Sequence, residues 1–392
     1  MNNQLKGVIA GQRDVRLNAG QLDNSGAGSL YAKRNLNLTL ANQLNNTQGT
    51  LRGDGTLTLQ AASLGNNGGS VSGVGGLTVT SSGAIANQGG ALLTDAGLTL
   101  NSGSLDNSQQ GRIAGKGVVL NTGAFTNQQG GSLTSTGALT AHIAGALLNQ
   151  FGLINVGGNL QLSANSLDNR NGQLSSVGDL ALSASQVDNS NGQILANGDI
   201  ALSLDRLNNQ LKGVIAGQRD VQLNAGQLDN SGAGSLYAKR NLNLTLANQL
   251  NNTQGTLRGD GTLTLQAASL GNNGGSVSGV GGLTVTSSGA IANQGGALLT
   301  DAGLTLNSGS LDNSQQGRIA GNGVVLNTGA FTNQQGGSLT STGALTAHIA
   351  GALLNQFGLI NVGGNLQLSA NSLDNRNGQL SSVGDLAILL KK

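Results

Sequence analysis

Three carboxylates fall at one place in a repeating pattern. Asp179, Asp199 and Asp220 each stand immediately ahead of an alternating apolar run, before Leu180, Ile200 and Val221. If those runs are strands stacked in register, their backbones lie about 4.8 Å apart. Carboxylates so spaced could gather Ca²⁺, a hard cation that takes several oxygen ligands, or imitate the acid pair of a glycoside hydrolase. The competing reading is a turn, because Asp between Gly and a strand is a common turn residue and Arg219 beside the column offsets its charge. We take the turn as the stronger expectation and the column as a weak cation site. The nonapeptide Ca²⁺ repeat, with an Asp in every half-turn, is absent. The two histidines, His142 and His348, are one residue in two copies of a duplicated sequence, so neither copy holds a His pair for a metal or a triad. With no Cys, thiolate chemistry and disulfides are also removed. No catalytic residue, metal or cofactor is expected, and the chain does not read as an enzyme.

Residues for contact rather than catalysis come next. Arg52-Gly53-Asp54, repeated as Arg258-Gly259-Asp260, resembles the integrin-recognition triplet of extracellular adhesins and falls in a turn, where it would be reachable. Lys33 and Arg34, close to Arg13 and after Tyr31, make a small basic patch suited to an anionic glycan. Basic groups also commonly protect strands from lateral pairing, and that is the stronger reading of the patch. So few charges, with almost no aromatics, give no footing for nucleic acid. A flat outward Thr array of the ice-binding kind begins at Thr58, Thr78 and Thr99, then breaks at Val119 and again after Thr140.

The elements that would position these residues follow from composition and repetition. The 392 residues hold 66 Gly, no Pro, no Cys and no Trp, with only 2% aromatic and 9% charged residues, which is not the make-up of a compact enzyme domain. At 37% apolar and a net charge of +2 the chain also lacks the signature of disorder. No stretch reaches the apolar length of a membrane span. An apolar residue followed two positions later by Asn recurs every 20 to 22 residues, with the Asn at Asn24, Asn46, Asn66, Asn87, Asn107, Asn127, Asn149, Asn169, Asn189 and Asn209, and continues to Asn375. Between these triplets lie a polar stretch ending in Gly, a short apolar piece and an alternating run such as "TLTLQ" or "DLALS". Alternation puts Leu57 and Leu59 on one strand face and Thr58 on the other. Strands so short cannot bury a face alone, but units of near-constant length can stack apolar position over apolar position. The expected fold is therefore all-β: a parallel β-helix, or β-solenoid, of about 19 coils, whose narrow lumen leaves little room for rings or charge. The repeated Asn is either a turn residue tolerating a left-handed backbone or a ladder of side-chain amides running from coil to coil. Its place on the same strand face as the apolar residue favours an inward ladder at a corner.

A longer repeat overlies the short one. Residues 2 to 181 return as 208 to 387 with two differences, Arg16 to Gln222 and Lys116 to Asn322. One continuous solenoid is expected, with a first ten-coil copy over 1–206, a second over 207–387 and a divergent tail at 388–392. The opening "MNNQLKGVIA" lacks the basic start and apolar run of a signal peptide. Both terminal coils read as uncapped, and end-to-end self-association is expected of them.

The segment "SLDNRNGQLSSVGDLALSASQVDNSNGQILANGDIALSLDRLNNQ" resembles the haemagglutinin repeats of filamentous haemagglutinin-type exoproteins, bacterial adhesins exported by two-partner secretion, and the likeness covers nearly the whole chain. The resemblance implies a right-handed β-helical filament at the bacterial cell surface or outside the cell, as part of a larger exported protein. It implies an outer-membrane transporter as secretion partner and a cell-surface receptor or glycan as target. The implied role is the shaft of an adhesin. The alternatives are the stalk of a contact-dependent toxin-delivery protein and, less favoured, a polysaccharide-binding or polysaccharide-active β-helix.

Overall fold

The computed structural model describes residues 1–391, and among them there is no helix. The chain divides into two compact units, Met1–Gly198 and Asp199–Lys392. Each is a parallel β-solenoid.

One coil of the first unit shows how the pattern becomes structure. Thr50–Gly53 buries Leu51, and after a turn Thr56–Ala61 buries Leu57, Leu59 and Ala61 while Thr56, Thr58 and Gln60 face solvent. A bend then leads to Ser63–Gly65, which buries Leu64. Parallel strands usually read as continuous apolar runs because helices cover both faces of their sheet. Here nothing covers the outer face, so the strict alternation of "TLTLQA" suits a parallel sheet with one wet side.

Stacking supplies what one coil cannot. Leu51 lies in register with Leu30 on one side and Val71 on the other, and Leu57 with Leu36 and Leu77. Registers advance by 20 residues from Leu57 to Leu77 and by 22 from Leu22 to Leu44, so loops between strands absorb the difference without disturbing the columns. Each core Leu contributes roughly 1.5–3 kcal/mol on burial. The second unit repeats the scheme, with Leu257 between Leu236 and Val277.

Two features depart from the expectation. The lumen does accept a ring: Phe125 and Phe331 are each 1% exposed and take the place of Leu in their columns, as in Leu105–Phe125–Leu147. One Phe among aliphatic neighbours above and below is accommodated because it needs only one coil's cross-section. The bend before the Asn triplet is also softer than a turn. In the first unit Leu139–Leu148 runs through it as one strand, with a register shift between Ile143 and Ala146, whereas the same residues in the second unit divide into Leu345–Ile349 and Ala352–Leu354. Identical sequence on both sides of that distinction places the bend at the limit of strand geometry. At the end of the second unit, Leu386–Leu390 pairs with Leu366–Ala370, so the divergent sequence from 388 begins inside a strand.

Candidate functional site

The repeated triplet builds a buried polar spine. The side-chain amide of Asn46 donates to Asn66 Oδ1 at 2.7 Å, to the carbonyl of Gly49 at 3.1 Å and to that of Ser70 at 3.2 Å, while its own Oδ1 accepts from Asn24 at 2.7 Å. The same amide-to-amide step links Asn3, Asn24, Asn46, Asn66, Asn87, Asn107, Asn127, Asn149, Asn169 and Asn189 in the first unit. In the second it links Asn209, Asn230, Asn252, Asn272, Asn293, Asn313, Asn333, Asn355 and Asn375. Asn suits the place because one amide supplies both a donor and an acceptor along the same line. The spine also explains a glycine column that the pattern showed only as "a polar stretch ending in Gly". A Cβ on Gly49 would lie 2.1 Å from the Asn24 carbonyl oxygen and 2.6 Å from Asn46 Oδ1. Bringing two coils close enough for the amides to meet leaves no space for a side chain.

The middle residue of the triplet has its own duty. Asp106 points outward, its Oδ1 accepting the backbone N–H of Ser108 and its Oδ2 accepting from Gln88 of the preceding coil at 2.6 Å. Asp168 and Asp229 do the same with Gln150 and Gln210. Leu-Asp-Asn therefore divides into a core residue, a turn-capping carboxylate at the surface and a ladder amide. Sequence reasoning missed these outer Asp, because the middle position is Asp in only some coils and Gly65, Ala86, Thr126 or Leu148 in others.

The Asp column before the alternating runs turns out to share its place with Asn. In the second unit Asp199 Oδ1 accepts the Asp220 N–H at 3.0 Å, Asp220 Oδ1 accepts the Asn241 N–H at 3.0 Å, and Asn241 Oδ1 accepts the Thr262 N–H at 3.1 Å. Arg219 lies 3.2 Å from Asp199 Oδ2 and Arg240 lies 3.6 Å from Asp220 Oδ2. In the first unit Asp179 donates its N–H to Asn159 Oδ1 at 3.0 Å. These side chains cap turns from coil to coil, with guanidinium groups beside the carboxylates. Among the described residues no three His, Cys, Asp or Glu side chains gather as a metal ion would need.

The Arg-Gly-Asp triplet does not fall wholly in a turn as expected: Arg52 and Gly53 close the strand Thr50–Gly53 and only Asp54 enters the bend, where the surface is a patch of paired polar groups. Tyr31 is in register with Arg52, which carries the Tyr hydroxyl to Asp54 Oδ2 at 2.5 Å, while Arg52 Nε meets Asp54 Oδ1 at 2.8 Å. Tyr237, Arg258 and Asp260 repeat this at 2.6 and 2.7 Å. The Tyr31 hydroxyl and then Arg52 hold the Asp54 carboxyl below the usual carboxylate range, and Asp54 in turn pushes the Tyr31 phenol up. Gly53 and Gly259 are buried, so the Arg and Asp side chains close on each other over a backbone pressed to the core. Lys33 and Arg34 are exposed in the turn before the next strand, Arg34 lying 3.8 Å from Asp14. His142 is exposed and makes a 2.7 Å hydrogen bond through Nδ1 to Ser163, and His348 does so to Ser369 at 3.0 Å. The arrangement offers fixed donors and acceptors at a surface, the two exposed His–Ser pairs among them.

No curated protein and no solved structure matches this chain. A family model described as "Haemagglutinin repeat" matches residues 8–89, 74–150, 140–210, 188–295, 288–356 and 341–390. Matched in this way from residue 8 to residue 390, and built throughout from coils of one pattern, the chain belongs to the haemagglutinin repeat family.

Proposed function

We propose that the chain is the structural shaft of a haemagglutinin-like bacterial adhesin, a stiff repeating element that holds or presents cell-contact surfaces outside the cell. The observation that carries this reading is the amide spine, which runs from Asn3 to Asn189 in one unit and from Asn209 to Asn375 in the other without an interruption in either. A spine of this kind fixes coil-to-coil register and resists bending, which is a requirement of a spacer. Beside it, Asp199 and Asp220 cap turns, and Arg52 and Asp54 pair with each other. On this reading the 206-residue duplication lengthens the shaft. Export through an outer-membrane two-partner transporter, and a surface receptor or glycan as the target, come with the family and are part of the proposal. A stalk of a contact-dependent toxin-delivery protein would use the same shaft.

The test compares the full chain with a shorter chain that keeps only the second copy, residues 208–392, for binding to immobilised erythrocytes and epithelial cells. For a spacer, binding per copy is the same in both. A gain of about tenfold or more for the longer chain would show two sites engaging together through avidity, and would overturn the spacer.

A further inference from the structure

The outward face of the alternating runs carries no charge in the second unit. Counting from the first core residue of each run, the second and fourth side chains point outward, as Gln222 and Asn224 do after Val221, and Thr284 and Thr286 after Leu283. In the nine runs from Ile200–Asn208 to Leu366–Ala370 these places hold only Ala, Ser, Thr, Asn, Gln, Val and one His. The charges of the unit stand elsewhere, at turns as Asp220 and Arg240 do, or on strands of the other sheet as Arg258 and Arg318 do. Soluble surfaces usually carry about a quarter to a third charged residues, and charge is a common device for keeping β-sheets of different chains apart.

The two copies of the sequence differ at this very face. In the first unit Arg16 stands at such a place, exposed on the strand Val15–Ala19, and among the described residues it is the one charged residue that does; the second copy has Gln222. The other substitution, Lys116 to Asn322, removes a charge immediately before the strand Gly323–Thr328. Both differences between the copies therefore take positive charge from this face or its edge.

We propose that the second unit pairs laterally with the second unit of another copy of the chain, the two alternating-run faces packed together about a two-fold axis. The argument is one of self-complementarity. In a two-fold contact one face supplies both sides, so a lone charge on it would be buried without a partner in each copy. Amides and hydroxyls meet their own kind without that cost, because each both donates and accepts. Asn327 donates one amide hydrogen to Asn307 Oδ1 at 2.9 Å and has a second to give. Thr methyl groups and Val325, 41% exposed, add apolar area among the polar atoms. Nine runs about 4.8 Å apart, with strands about 17 Å long, present on the order of 700 Å² per copy, near the ~800 Å² a side of a specific interface. Two sheets stacked face to face about 10 Å apart is a common packing. A charged partner would find no counter-charge on this face, and an apolar one would strip water from its amides without replacing the hydrogen bonds. The inference goes beyond the shaft reading and does not rest on it, and it differs from end-to-end association, which would use the terminal coils.

Sedimentation of the full chain from about 1 to 300 μM tests the pairing. Expected is a reversible monomer–dimer equilibrium with a Kd on the order of 1–100 μM. Thr284→Lys with Val325→Lys places two positive charges near the middle of the face and should raise that Kd about tenfold or more, whereas Ser278→Lys with Thr340→Lys, outward on the other sheet, should leave it within about twofold. Because the chain has no Cys, Thr305→Cys and Ser278→Cys each add a single thiol on a small side chain. Labelling of the first thiol should slow as protein concentration passes the Kd, and labelling of the second should not. A chain that stays monomeric throughout would overturn the proposal. So would association that both lysine pairs weaken equally, which would be a general effect of charge, or that neither weakens, which would assign it to other surfaces. Equal labelling of the two thiols at every concentration would overturn it as well, and does so even if a lysine pair fails to fold.

Discussion

The side-chain amide of Asn169 donates to Asn189 Oδ1 at 2.7 Å and is itself the donor to the backbone carbonyls of Gly172 and Gln193, with Asn169 itself fully buried. Two residues away, Asn171 is on the outside of the turn at φ 55° and accepts from Asn191 in the open. Chemically identical side chains thus differ in burial and in backbone conformation.

That contrast sets the first expected outcome. Asn169→Ala leaves the Asn149 amide and the Asn189 carbonyl group without their partners in a buried place, at a cost of about 1–3 kcal/mol. Asn171→Gly keeps the left-handed turn and gives up only an exposed contact, so its cost is a few tenths of a kcal/mol. Denaturant melts of the two variants check this; equal losses would remove the spine as a source of stability.

Glycine supplies a second contrast. A Cβ on Gly172 would lie 2.1 Å from the backbone carbonyl oxygen of Asn149, whereas a Cβ on Gly97 meets nothing within 4 Å. Gly172→Ala has to push two coils apart, with a loss of about 1–3 kcal/mol or more. Gly97→Ala stays within about 0.5 kcal/mol of the parent, and chemical denaturation distinguishes the two.

The Tyr–Asp pairs predict a titration. Tyr31 and Tyr237 are the two tyrosines of a chain without Trp, and the phenol of each is raised above the ordinary 10.0 first by its hydrogen bond to Asp54 or Asp260. A raised phenol contributes stability that is complete below pH 10.0 and is lost as pH rises through the folded value. The carboxylates shift the other way: Asp54 is lowered from 3.8, so its contribution is complete above that pH and disappears as pH falls through the lower, folded value. Near-ultraviolet absorbance should show both phenols ionising late in the parent, and at the ordinary pH in Asp54→Asn, Asp260→Asn. Coincident titration curves would disprove the pairing.

Phe151, 64% exposed, stands at φ 56° on the turn after Asn149, and the strain of a bulky residue there is open to measurement. Replacement by Asn, which tolerates a left-handed backbone, should raise stability by roughly 0.5–1 kcal/mol because an unpacked ring gives up little. A drop in stability of similar size would mean that the ring makes contacts in solution.

Much of this molecule was legible before any coordinate. Alternation in "TLTLQ" and recurrence of Leu-x-Asn at 20 to 22 residues require strands with one wet face and stacking of equal units, because no single coil can bury its own apolar side. Residue types at Asn46 and Asn169 were informative for the same reason: a repeat imposes one environment on every copy. Alternation also put the Asn on the inward face, but periodicity could not decide distance. That the Asn46 amide reaches Asn66 in the neighbouring coil, and that Asp106 beside such an Asn caps its own turn and accepts from the preceding coil, depend on how coils approach one another, a three-dimensional distance of a few ångströms to which spacing along the chain is blind. The Arg-Gly-Asp triplet shows the limit most plainly. Its letters imply two opposite charges free to reach outward, but a parallel register sets Tyr31 beside Arg52, and the Tyr hydroxyl and the guanidinium then close on Asp54 from both sides. Phe151 is the same lesson at one residue: the sequence records a ring among polar neighbours, and only the tertiary structure holds it outward on a left-handed turn, since that turn is dictated by the packing of the ladder Asn and the close-packed Gly on either side of it.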